Sequence, residues 1–227
     1  MAKKSFPQKI LRLMTRLVAA VIAFMLLIVL LFRFVNPPTS AFMLAHQVEY
    51  PDQRLQQSWV ALDEVSPWMP LAVMASEDQR FPEHWGVDFV AIRKALSEYS
   101  AGDGLRGAST ITQQTAKNLF LWNGRSFIRK LIEAALALGM ELLWPKERIL
   151  EVYLNIAEFG PGIYGVEAAS QAFFGRSARL LNDYQSALLA AVLPNPKVLD
   201  AGMPSAYVQQ RVSWIRNQMP RLPQQIK

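Results

Sequence analysis

The chain passes through three hydrophobic rhythms. From Leu17 to Phe32 sixteen residues run without a charge, and Arg33, Phe34 and Val35 extend the apolar pattern to nineteen. At 1.5 Å per residue such a helix is about 28 Å long, close to the roughly 30 Å of a bilayer core, with Arg33 near enough to its end to snorkel. The run is long for a cleaved signal peptide and no good Ala-x-Ala site follows it, so it reads as an uncleaved anchor. Asn36-Pro37-Pro38-Thr39-Ser40 then breaks the helix, and apolar Phe42, Met43 and Leu44 give way to a Gln-rich stretch without clear period, ending near Pro67.

From Pro70 to about Trp214 the apolar positions recur mostly at helical spacing. Leu71, Val73, Met74 and Ala75 predict one helix, and Val87–Tyr99, with Phe89, Ile92, Ala95 and Leu96 on its apolar side, a second. Further helices are predicted over 110–120, 127–144, 145–155, from Val166, over 183–193 and over 208–219. Strand signals are few. Gly102-Asp103-Gly104 and Trp122-Asn123-Gly124 mark turns, and 160–165 reads as a Gly-rich loop lacking the preceding strand and spacing of a nucleotide-binding fingerprint. The fold class is mainly α. The expected organisation is a basic tail at 1–16, a transmembrane helix at 17–35, a juxtamembrane connector at 36–67 and one domain at 68–227.

Composition narrows the function classes. The net charge of +6 suggests nucleic acid until the charges are located: six basic residues and no acid lie before residue 36, and the remainder holds 18 of each sign. A broad basic face for nucleic acid therefore loses its support. The tail carries Lys3, Lys4, Lys9, Arg12 and Arg16, and by the positive-inside rule it stays in the cytoplasm and places the domain outside. With no cysteine and only His46 and His84, thiolate catalysis, disulfides and histidine-rich metal sites are excluded.

Polar blocks interrupt the helical region. Glu77-Asp78-x-x-Phe81-x-x-His84-x-Gly86-x-Asp88 puts two carboxylates directly after an apolar helix, where burial can raise a pKa for acid or base work. Pairing with Arg80, or capping of a turn, explains the same residues structurally. Gly107-Ala-Ser-Thr-Ile-Thr-Gln-Gln114 has the grammar of a helix start, Ser109 or Thr110 capping with Gln113 following. Free N–H groups there attract anions, and between 104 and 130 five cations (Arg106, Lys117, Arg125, Arg129, Lys130) stand without an acid, a field suited to phosphate or to a solvated face. Glu133 sits one turn after Arg129 among apolar neighbours, so it is either functional or locked in an Arg129–Glu133 pair. The Lys146–Asn155 segment reads mainly as core, and His84 as a structural hydrogen-bonding group.

Taken in order, these blocks, together with Arg-Lys-x-x-Glu (129–133), Lys-x-x-Ile-Leu-Glu-x-Tyr-Leu-Asn (146–155) and Gly-Ile-Tyr-Gly-Val-Glu-Ala-Ala-x-Gln-x-Phe-Phe-Gly (162–175), resemble the five motifs of the family 51 peptidoglycan glycosyltransferases. The resemblance covers roughly residues 60–200 and implies a lysozyme-like helical domain that polymerises lipid II into a β-1,4 glycan and releases undecaprenyl pyrophosphate. The chain ends at Lys227, which leaves no length for a transpeptidase domain, so it is most similar to the monofunctional members.

By that resemblance Glu77 is the general base toward the acceptor 4-hydroxyl and Glu133 the second catalytic glutamate, holding cations or helping to bind a divalent metal, Mg or Mn, at the pyrophosphate. Asp78, Ser109, Thr110, Gln114, Lys117, Asn118, Arg125, Arg129 and Lys130 are the expected substrate-binding residues, and no organic cofactor is implied. Implied partners are lipid II, the growing lipid-linked glycan, the bacterial inner membrane and other wall-synthesis or division proteins, with the catalytic domain in the periplasm. A lytic enzyme of similar fold is the rival reading, but its sugar leaving group has no use for dense cations. A non-enzymatic scaffold predicts decay of Glu77, Lys117 or Glu133, and all three are intact.

Overall fold

The computed structural model describes residues 6–100, 109–124 and 126–223. Two compact units divide at Asn36. The first contains α1, Phe6–Phe32, in which Lys9–Phe32 is long and apolar enough to cross a bilayer. Its apolar side chains, among them Leu11, Leu17, Phe24 and Leu27, are exposed along most of the helix, as a lipid-facing surface requires.

The second unit is built from α2 (Ala41–Glu49), α3 (Trp68–Glu77), α4 (Phe89–Ser100), α5 (Ile111–Phe120), α6 (Phe127–Leu143), α7 (Lys146–Ile156), α8 (Val166–Phe174), α9 (Asp183–Val192) and α10 (Ala206–Gln218). Three short strands, β1 (Gln56–Gln57), β2 (Glu158–Gly160) and β3 (Ile163–Tyr164), complete it. The mainly α class read from the sequence holds, and most helix bounds fall within two residues of those expected.

Helix starts follow local grammar. Thr110 and Gln113 form the anticipated capping box on α5, each side chain accepting from the other's backbone N–H at 3.1 Å. Ser126, Asn182 and Ser205 cap α6, α9 and α10, while α7 begins after Pro145.

Two helix packings make the core. α9 is buried from Ser186 to Val192 and packs against α3 and α10. Its alanines face a helix that itself contributes Ala72 and Ala75, so the backbones approach closely. α5 packs against α6 and α7, enclosing Ile111, Met140, Ile149, Leu150 and Tyr153.

The sequence-read connector at 36–67 is more ordered than a linker. Residues from 37 onward belong to the second unit, Ser40 caps α2, and β1 joins a sheet of order β1-β3-β2, parallel to β3. The 160–165 loop is the turn and second strand of a β-hairpin, since β2 and β3 pair antiparallel on either side of Pro161-Gly162. Strands of two and three residues leave no period to read. Gly162 takes φ +73°, and a Cβ there would meet the His46 ring at 3.1 Å.

Asn155 ties the connector to α7. Its amide donates to the Val60 carbonyl and its oxygen accepts from the Val60 N–H, both at 2.9 Å, with no exposure to solvent. Asn155→Ala would strand both Val60 groups and should cost about 2–4 kcal/mol, read as an earlier midpoint in denaturant unfolding of the detergent-solubilised protein.

Candidate active site

Glu77 is the last residue of α3, at the edge of a cleft of about 660 Å³. Ser76, Ser109 and Gln114 line it on one side, Tyr207, Gln210, Arg211 and Trp214 of α10 on the other. The carboxylate is half-buried among polar groups, whereas its sequence context suggested an apolar setting. Its Oε2 accepts from the Gln114 side chain at 3.0 Å, and its Oε1 accepts from the Ser76 hydroxyl at 2.9 Å.

Gln114 is itself oriented from behind. The buried Tyr153 hydroxyl donates to Gln114 Oε1 at 3.1 Å, which turns the amide NH₂ toward Glu77. Burial, reinforced by the Glu77 and Asp78 charges, pushes the Tyr153 pKa well up and keeps it a donor.

Asp78 is buried and both its oxygens lie 3.0 Å from His84 Nε2, one of them also accepting from the Ile111 N–H at 3.0 Å. It joins the end of α3 to the start of α5. Thr110 is also buried; its hydroxyl donates to the Gly86 carbonyl at 2.6 Å. Arg80 pairs with Glu83 and Asp88.

Glu133 is only 2% exposed and lies under two cations of its own helix: Arg129 at 2.6 Å and Lys130. Lys130 also donates to Ser109 at 2.8 Å and Arg129 to the Gly124 carbonyl at 2.9 Å, so the start of α6 is tied to the segment entering α5 and to the loop leaving it. Of the two readings of Glu133 left open by the sequence, the structure shows the Arg129–Glu133 pair, joined by Lys130. Lys117, half-buried on α5, lies 5.3 Å from the Phe42 ring. Burial lowers its pKa, with Glu133 opposing and Arg129 and Lys130 adding to the fall.

Lys117, the buried Asn118, Asn123, Glu158 and Lys197 line a second cavity of about 230 Å³ that shares Gln114 with the first. Burial raises the Glu158 pKa, against a 3.4 Å hydrogen bond from the Gly162 N–H. Arg125, Arg106 and Gly107 lie outside the described residues.

Both oxygens of Glu133, the residue considered for a metal, accept from cations. Among the described residues no group of three or more His, Asp or Glu side chains converges to hold one. These residues do not fit a divalent ion held by Glu133.

Residues 44–220 match the family described as Transglycosylase. The chain belongs to the transglycosylase family. It is 61% identical over 196 residues to a protein of Marinomonas sp. (strain MWYL1), covering 86% of this chain and 85% of that one. It is 58% identical over 190 residues to one of Shewanella frigidimarina, covering 84% and 82%. It is 54% identical over 198 residues to one of Escherichia coli, covering 85% and 82%. Each relative is named biosynthetic peptidoglycan transglycosylase.

Sequence reasoning about this transglycosylase domain missed Ser76, Tyr153 and Arg211 as site residues. Tyr153 lay within a motif read as core. On α10, Tyr207, Gln210, Arg211 and Trp214 stand at i, i+3, i+4 and i+7, a spacing that does mark one helix face.

Tyr153→Phe removes the group that orients Gln114 without opening a cavity. It should lower kcat about two- to tenfold with little change in melting temperature. Because its pKa is lowered, Lys117 loses its charge at lower pH than an ordinary lysine, so an anion that relied on that charge would be held below that pKa and released as pH rises through it. The alkaline fall in kcat/KM should therefore move to higher pH in Lys117→Arg, whose guanidinium stays charged.

Proposed function

We propose that the protein polymerises lipid II into peptidoglycan glycan strands by one inverting displacement. The observation that carries this reading is the unequal treatment of two glutamates. Glu77 faces a cleft, while Glu133 is sealed beneath Arg129 and Lys130. A lytic enzyme needs two carboxyl groups able to flank a glycosidic bond, and a sealed glutamate serves that chemistry poorly. Departure of a pyrophosphate requires fixed cations, and these are supplied.

In the proposed step Glu77 takes the proton of the acceptor sugar's 4-hydroxyl, whose oxygen attacks the anomeric carbon of the lipid-linked donor. The bond from that carbon to the pyrophosphate oxygen breaks, and undecaprenyl pyrophosphate leaves with both electrons. Lys117, Arg129 and Lys130 meet its charge, aided by Arg125, while Ser109 and Asn118 offer hydrogen bonds. Thr110 and Asp78 hold the frame.

The membrane helix suits a substrate and a product that both carry lipid tails, since a tethered site meets them in two dimensions. We place the basic tail in the cytoplasm and the catalytic unit in the periplasm of the inner membrane.

Purified full-length protein with labelled lipid II, with and without divalent ion, should yield polymer that muramidase cuts to disaccharide units. Glu77→Gln should lower the rate about a hundred- to ten-thousandfold. Glu133→Gln should also lose activity, through misplaced cations. No polymer from folded, membrane-reconstituted wild type would overturn the proposal.

A further inference from the structure

We propose that Ser76 is a positioning residue for Glu77, a hydroxyl with two settings that serves the base both before and after it takes the proton. The inference rests on the reading of Glu77 as the general base. Ser76 Oγ lies 2.9 Å from Glu77 Oε1 and 3.1 Å from the carbonyl oxygen of Ala190 on α9. A serine hydroxyl has one proton, so it serves only one of these acceptors fully at a time. Arg211 Nη2 donates to Ser76 Oγ at 3.0 Å, and Arg211 is steadied by a further hydrogen bond from its Nε to the Ala191 carbonyl at 3.2 Å.

While Glu77 is ionised, the hydroxyl donates to Oε1, because a hydrogen bond to a carboxylate is stronger than one to a neutral carbonyl. When the acceptor sugar's proton arrives, Oε1 becomes the donor. The Ser76 proton then turns to Ala190, and the second lone pair of Oγ accepts from the new carboxylic acid. Arg211 keeps the first lone pair in both settings. Gln114 has no second setting, since the NH₂ it presents to Oε2 only donates and Tyr153 holds the amide from the other end. The two donors thus differ in role: Gln114 favours the ionised base, and Ser76 accommodates both forms and directs the proton to Oε1.

The other charged and titratable groups around Glu77 are Lys117 on α5, Tyr153 on α7, Arg211 on α10, the neighbouring Asp78 with its His84, and Arg80, Asp88 and Lys94 around a smaller pocket. Of these only Arg211 bonds to Ser76, and the others keep their contacts when it is substituted. The pH profile of kcat/KM for lipid II polymerisation then reads the hydroxyl together with its Arg211 bond.

Glu77 must be ionised to act, so activity falls on the acid side of the profile. In Ser76→Ala the ionised base loses a strong charge-assisted donor while the protonated form loses only a weaker neutral bond, which moves the acid limb to higher pH. We expect this shift together with a kcat about tenfold lower, and restoration of both by Ser76→Thr. Ser76→Cys, close in size and a weaker donor, should fall between wild type and Ser76→Ala and provides a second readout if the alanine variant melts early. A Ser76→Ala profile with an unmoved acid limb would overturn the proposal, whether kcat is unchanged or merely lowered by altered packing. Glu77→Gln run in parallel separates the two levels. If it polymerises at the wild-type rate, the base assignment itself fails; if it is inactive while Ser76→Ala matches wild type, only the role of Ser76 fails.

Discussion

Asp78 presents little surface to the cleft, yet the contact between Glu77 and Gln114 depends on it. Its buried carboxylate accepts from the first N–H of α5 and lies against His84, so the end of α3 and the start of α5 are fixed to one group. A carboxylate at a helix start meets the positive end of the helix dipole, and burial strengthens that attraction. Everything built on α5 then has a defined place relative to Glu77: Ser109 just before the cap, Gln114 one turn in, Lys117 nearly a turn further. The capping box and the Thr110 bond to Gly86 repeat the same constraint through neutral groups. Lys146 closes the arrangement from below, reaching the His84 carbonyl at 2.6 Å and Glu141 at 2.8 Å.

The cations are organised by the opposite device. A buried carboxylate without partners is costly, and Glu133 avoids that cost by drawing in Arg129 and Lys130. Both pairs lie on one helix, at i, i+4 and i, i+3, so their geometry is set before any tertiary contact forms. Lys130 nevertheless keeps 42% of its side chain exposed and also holds Ser109, leaving it able to meet a ligand without leaving its anchor. Lys117 has no such carboxylate on its own helix, and burial lowers its pKa. An anion bound beside Lys117 would favour its charged form, so that binding and protonation of Lys117 would support each other.

Much of this was legible in the sequence because its determinants are local. The α5 cap, the start of α7 after Pro145 and the Arg129–Glu133 spacing each lie within five residues, and chain order alone carried the family resemblance. The hairpin was not legible, since its strands are too short for alternation to appear. The polar setting of Glu77 was hidden for another reason. Ser76 follows five apolar residues and looks like the fading end of a core helix, while its partners Ala190 and Arg211 are 114 and 135 positions away. Nothing near Ser76 in the chain announces them.

The same distance explains why α9 and α10 belong to the site at all. α9 is apolar through its buried span apart from Ser186, but a helix that packs this closely on α3 brings its main chain within reach of the residues where α3 ends. The Ala190 and Ala191 carbonyls become acceptors at the cleft wall, and Arg211 crosses from α10 to use one of them. Small side chains are what permit this: a bulkier residue at 190 or 191 would push α9 away from α3 and carry those carbonyls out of hydrogen-bonding range. Packing in the core thereby sets the hydrogen bonding of the base, and the alanines of α9 act on the chemistry through the backbone they allow to approach.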